Sequence, residues 1–179
     1  SIRRQRQMCI RDRFFLMPHM TEMKQTDIRT ESGAFKNSQV WFTVIMGVVG
    51  FGGMFSVYTY ISWTMTEVAG MDQSLIWVVL MAYGIGMTIG NAFGGWLADR
   101  NLEFGIVFAL ACLIVILTAF YFLSSHAIPA TLCFGCVAFM GSTLVPSLQL
   151  RLVHVAGDAQ TLAAALNQSA LNIANAAGA

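Results

Sequence analysis

The side chains that could do chemistry in this chain are few, and most carry no charge. Gln168, Asn172 and Asn175 fall at i, i+4 and i+7, one narrow face of a helix, and Asn91 stands among glycines. Tyr58, Thr59, Tyr60 and Ser62 gather hydroxyls and rings at the end of an apolar run. Cys133-Phe-Gly-Cys136 has the spacing of a metal or redox pair, yet no second pair and no nearby His accompanies it. Three of the four cysteines sit in apolar runs, where the thiol acts as a small hydrophobe. With no nucleophile beside a base, no ligand cluster and no phosphate loop, we expect no enzyme, no bound metal and no cofactor. Uncharged amides and hydroxyls can still hydrogen-bond, either to a solute or to each other.

The elements that hold these groups are apolar and long. Of 179 residues, 56% are hydrophobic and only 11% charged, less than half the charged share of an ordinary soluble domain (about 25%). The net charge of +1 argues against a nucleic-acid partner. Roughly 20 apolar residues cross a bilayer. The pattern predicts five spans, at about 40–66, 74–97, 104–123, 130–150 and 160–179. None contains Asp, Glu, Lys, Arg or His, the usual marks of a proton or ion path. The fold class expected is an all-α, polytopic membrane bundle, with the lipid bilayer as its first partner. In such a setting the amides and tyrosines have two readings each. The amides either bond neighbouring helices or line a water-filled cavity and touch a solute, and Tyr58, Tyr60 and Ser62 do likewise or anchor the span at the interface.

Ala82, Gly86, Gly90, Gly94 and Ala98 recur at every fourth position of the second span, a seam along which another helix can approach to backbone contact. That span ends at Asp99-Arg100, where the carboxylate opposes the helix dipole and the guanidinium suits it. Asp99 therefore either serves a contact outside its own helix or pairs locally with Arg100. The third run is apolar all round and should face lipid. Residues 124–129 read as a turn, Pro146 should kink or weaken the fourth helix, and 151–159 read as a polar connection.

Lysine and arginine cluster before the first span and in the second and fourth connections, at Arg100 and Arg151, while the first and third connections have none. That alternation places the leader and the loops of Arg100 and Arg151 in the cytoplasm. Residues 1–13 are arginine-rich, resemble translated adapter sequence and are set aside as a non-native leader, the alternative being a basic cytoplasmic arm. Residues 14–39 read as a cytoplasmic linker with a short helical piece near 32–37. The fifth run stops without a polar flank, which we read as truncation.

Gly90-Asn91-Ala92-Phe93-Gly94-Gly95-Trp96-Leu97-Ala98-Asp99-Arg100 resembles the loop motif of the major facilitator superfamily, in the copy between its eighth and ninth helices. Asn37-Ser38-Gln39-Val40-Trp41, the run from Gly53 to Ile61, and Val155-Ala156-Gly157-Asp158-Ala159 with Ala163-Ala164-Ala165-Leu166-Asn167 resemble its sugar-efflux and drug:proton antiporter branch. The likeness implies helices seven to eleven of a twelve-helix transporter, a partial C-terminal half whose N-terminal half lies elsewhere. It gives Gly90, Asn91, Gly94, Gly95, Asp99 and Arg100 to a gating motif, with Asp99's partner in that other half. It implies efflux of a sugar or drug-like solute across a bacterial inner membrane, coupled to protons through groups outside this stretch, and no transport by this stretch alone. Leu102, Glu103 and Phe104 stand where the motif has Gly and two basic residues, and Trp63 where the branch often has Pro, which puts a full charge relay in question. The rival reading is a small membrane subunit for helix packing or assembly, without transport.

Overall fold

The computed structural model describes residues 37–157 and 159–179. The expected leader at 1–13 and nearly all of the expected linker, including the helical piece near 32–37, lie outside them. The described residues form an all-α bundle of five α-helices: α1 Ser38–Trp63, α2 Ile76–Arg100, α3 Leu102–Leu123, α4 Ala127–Ala156 and α5 Gln160–Gly178. Four stretches are long and apolar enough to cross a membrane, Ser38–Val68, Gln73–Arg100, Leu102–Leu123 and Ala127–Ala156. The fifth helix is shorter, and its asparagines and glutamine dilute its hydropathy; it lies in the same bundle, along α1.

α4 is the hub. Three apolar clusters hold the bundle together and α4 contributes to each: Val137, Leu144 and Leu148 to the middle one, Ala130, Phe134 and Ala138 to the second, Leu152 to the third. α3 adds Ile106, Ala109 and Leu113 on one face and leaves Val107, Ile114, Val115 and Phe122 exposed on the rest. It is therefore packed along one stripe and leaves an apolar, exposed surface over most of its girth. α5 buries a small-residue face, Ala163, Ala170, Ala174 and Gly178, against α1.

The joints are tighter than the polarity of the sequence suggests. α2 and α3 meet at Asn101 alone, which ends one helix and caps the next by accepting from the Phe104 amide at 3.2 Å. Glu103 thus belongs to the first turn of α3, where a carboxylate suits the dipole. α1 winds into a π-helical turn, Thr64–Val68, in which the Ala69 amide reaches back to the Thr64 carbonyl at 3.0 Å. Thr64 and Thr66 hydroxyls bond carbonyls of the preceding turn there, and Gly70 (φ 63°) then breaks the chain direction. Asp72 accepts from the Ser74 amide at 2.9 Å, and that bond holds its carboxyl below the usual range.

Two readings of the fourth span need correction. Pro129 is not in a turn but in the first turn of α4, where its missing N–H costs nothing. Pro146 stands inside the helix, which continues to Ala156. Residues 151–156 are helical rather than connecting, because Arg151 and Val155 find partners on α1 and α3; the connection shrinks to 157–159, opening at Gly157 with φ 58°.

Candidate functional site

The small-residue seam of α2 lies directly on α4. A Cβ added at Gly86 would collide with the Gly135 carbonyl, at Gly90 with that of Phe139, and at Gly94 would stand 2.5 Å from that of Thr143. The partners advance by four as the glycines do, so the two helices run in the same direction in backbone contact. Thr143 Oγ1 bridges them, its one proton shared between the Gly90 carbonyl at 3.1 Å and the Phe139 carbonyl of its own helix at 2.8 Å.

Holding α2 against α4 in this way opens a groove of about 610 Å³ on one side of the bundle. Its wall comes from four helices: Met54, Phe55 and Tyr58 of α1, Leu80, Tyr83, Gly84, Met87 and Asn91 of α2, Ser142 and Val145 of α4, and Leu171 of α5. α3 contributes nothing to it. Met54, Met87 and Ser142 fall close to the middle of their helices, so the groove sits at mid-depth. Tyr58 and Tyr83 rings lie 5.0 Å apart, and Tyr83 stacks on Phe134 at 4.6 Å. Among the described residues, no Asp, Glu, Lys, Arg or His lines the groove.

One end of the bundle is tied by Arg151. Its side chain, 15% exposed, pairs with Glu103, donates from Nε to Thr43 Oγ1 at 3.2 Å and reaches Gln39 Oε1 at 3.5 Å. Asn37 adds a bond from Nδ2 to the Val155 carbonyl at 3.2 Å while its Oδ1 caps α1. The start of α1, the start of α3 and the end of α4 thus converge here. Asp99 and Arg100 close α2 at the same end, beside that joint. Arg100 lies over the Trp96 ring at 4.4 Å rather than on Asp99. Asp99 is exposed and makes no hydrogen bond or ion pair among the described residues.

The family model for the Major Facilitator Superfamily matches residues 13–179. The chain belongs to that superfamily. Among similar proteins are the inner membrane transport protein YdhP of Escherichia coli K12, 31% identical over 166 residues, and the MFS-type transporter YtbD of Bacillus subtilis, 33% identical over 163. The alignments cover 93% and 86% of this chain, but 43% and 40% of those proteins. A chloramphenicol resistance protein of Streptomyces lividans is 29% identical over 155 residues, 84% of this chain and 38% of its own. The chain thus spans 38–43% of the length of these curated relatives. No solved structure is significantly similar. Superfamily membership and the transporter-named relatives indicate a transporter rather than an enzyme.

The facilitator motif residues separate into two groups in space. Gly90 and Gly94 are buried in the seam, whereas a Cβ at Gly95 would meet nothing within 4 Å, and Asn91 turns into the groove with its Nδ2 on the Met87 carbonyl at 3.1 Å. Of the other candidates, Tyr58 lines the groove against Tyr83. Tyr60 instead donates to the Ala179 carbonyl at 3.2 Å, and Ser62 borders a second recess of about 530 Å³ with Glu67, near the π-helical turn. Gln168, Asn172 and Asn175 share an exposed face of α5 and line neither space. Cys133 packs beside the Tyr83 cluster and Cys136 is exposed on α4. Sequence reasoning missed Met54, Tyr83, Met87 and Ser142. The signal for the last was present as an uninterrupted Gly141-Ser142-Thr143 inside an apolar run.

Proposed function

We propose that these helices form part of a secondary transporter which moves a small solute by alternating access, two six-helix halves rocking about a site at the bilayer midplane. The observation that carries the reading is the mid-depth groove, walled by α1, α2, α4 and α5 and free of α3. A half-bundle that offers one concave wall needs a second half to close it, and the relatives' greater length leaves room for six further helices. On this reading the Arg-bearing end is cytoplasmic, the membrane is a bacterial inner membrane, and the direction is efflux driven by protons. The names of the E. coli and S. lividans relatives support the membrane and the direction. Because this wall is uncharged, proton coupling falls to groups in the other half.

Asp99 supplies the gate. An exposed carboxylate at the wrong end of a helix dipole, unpaired on its own side, is available to a partner in the other half when the cytoplasmic ends close. Expressed in E. coli from its complete reading frame, the protein should lower accumulation of radiolabelled chloramphenicol, and an uncoupler should abolish the effect. Asp99→Asn should slow export several-fold with membrane insertion unchanged. Equal accumulation with and without the protein, across chloramphenicol and a panel of neutral drugs and sugars, would refute the transport reading; an unaltered rate in the variant would refute the gate.

A further inference from the structure

The chemistry of the groove says more than its position. The described residues contain four buried serines and threonines, Thr43, Ser142, Thr143 and Ser147. Three of them donate to the carbonyl four residues back, at 2.8 Å for Thr43, 2.8 Å for Thr143 and 3.2 Å for Ser147. Such back-bonding is open to any serine on a helix. Ser142, at 0% exposure, is the exception: its Oγ makes no hydrogen bond to any described residue, and the residue forms part of the groove wall. An unmet buried hydroxyl is unfavourable, so its persistence here points to a bond made to something that enters.

Its neighbours hold α4 in place at this level. Gly141 has no side chain and Met54 fills that space. Thr143 is bonded across to α2 at Gly90, which sets the rotation of α4 about its axis. Around Ser142 the wall is aromatic and soft: the tilted Tyr58–Tyr83 pair backed by Phe134, the thioethers of Met54 and Met87, and Phe55, Val145 and Leu171. Methionine adapts to irregular apolar shapes and favours aromatic partners. An ion brought here would find no counter-charge. A sugar bears a hydroxyl on nearly every carbon, while this wall offers polar side chains only at Tyr58, Tyr83, Asn91 and Ser142, and Asn91 already spends a donor on its own helix. Most sugar hydroxyls would be desolvated without a partner on this side.

We infer that the solute is an uncharged aromatic compound, held with its ring against Tyr58, Tyr83 and the two methionines and with one polar group hydrogen-bonded to Ser142 Oγ. The inference rests on the groove being the solute site. Ser142 is then a specificity residue, and the groove's volume is within the ordinary range for a drug-sized ligand.

The probe is 4-hydroxybenzophenone, uncharged, two-ringed, bearing a phenol and a ketone, and able to insert into nearby C–H bonds under near-ultraviolet light. With the protein in phospholipid nanodiscs, peptide mass spectrometry should find label on Met54 and Met87. Excess 4-hydroxybiphenyl should remove it and excess sucrose should not. Ser142→Ala should raise the concentration for half-labelling by about three- to tenfold, the range expected for one neutral hydrogen bond. Ser147→Ala, which removes a buried hydroxyl already satisfied within its helix, should leave it unchanged. Labelling no stronger on the methionines than on the exposed Val115 and Phe122 would overturn the inference, as would wild-type labelling in Ser142→Ala. Displacement by sucrose would keep the groove as the solute site and reject the aromatic class. Site-specific labelling without any detectable export would keep the class and reject transport.

Discussion

Gly90 and Gly95 lie in one motif on one helix, and only the first bears a packing constraint. A methyl at Gly90 would lie 2.9 Å from the Phe139 Cα and collide with its carbonyl, and it would push apart the backbones that the Thr143 to Gly90 hydrogen bond joins. A methyl at Gly95 meets nothing within 4 Å. Gly90→Ala should therefore destabilise the bundle by about 1–3 kcal/mol, the usual cost of overpacking. Gly95→Ala should be neutral or stabilising by up to about 1 kcal/mol, since alanine is the better helix former. Midpoints of unfolding in dodecyl sulfate titrations read both, and equal midpoints for the two variants would contradict this account of the seam. The spacing of Gly86, Gly90 and Gly94 was legible because four residues return almost to the same helix face. That Gly95 faces open space was not, because the sequence does not name the surface opposite. Ser142 was hidden for a related reason: its place in the groove wall depends on how Thr143 locks α4 to α2, a contact 53 residues away.

At the level of elements, the polar joints were the least legible part. Arg151 and its neighbours look like a loop by composition, yet the helix runs on because the guanidinium is drawn inward by Glu103, Thr43 and Gln39. The partners are not equivalent. Glu103 has a side chain 70% exposed, so its share in the ion pair is screened and Glu103→Ala should cost less than about 1 kcal/mol. Arg151→Ala removes the pair and also both bonds to α1, and should cost about 1–3 kcal/mol. Arg151→Lys should recover little, because a single ammonium cannot spread over three partners as a planar fork does. The same dodecyl sulfate titrations on the three single variants and the Arg151→Ala, Glu103→Ala double variant give the coupling directly. A coupling equal to the whole cost of Arg151→Ala would mean that the bonds to α1 contribute nothing.

Over the whole molecule, charge is distributed by end. Asp99, Arg100, Glu103, Arg151 and His154 collect where α1 and α3 begin and α2 and α4 finish, while Glu67, Asp72 and His126 occupy the opposite end. Both described arginines are thus on one side, and the described loops at the far side carry acids and one histidine. On the transporter reading proposed above, retention of cations on the cytoplasmic face gives the Arg-bearing end as cytoplasmic without reference to any residue before Asn37. The alternation of helix direction was readable from the sequence, since each of the first four apolar runs is long enough to cross and each is followed by polar residues. Which helices wall the groove was not, because α3 is excluded by packing rather than by composition. The orientation can be tested with native cysteines replaced by serine and single cysteines placed at two exposed positions, Glu67→Cys and His154→Cys. A membrane-impermeant maleimide should label the first in intact cells and the second only in inside-out vesicles. Labelling of both from the same side would mean that α1 and α4 do not cross the bilayer as drawn, and the groove would then lie at the wrong depth to serve a solute at the midplane.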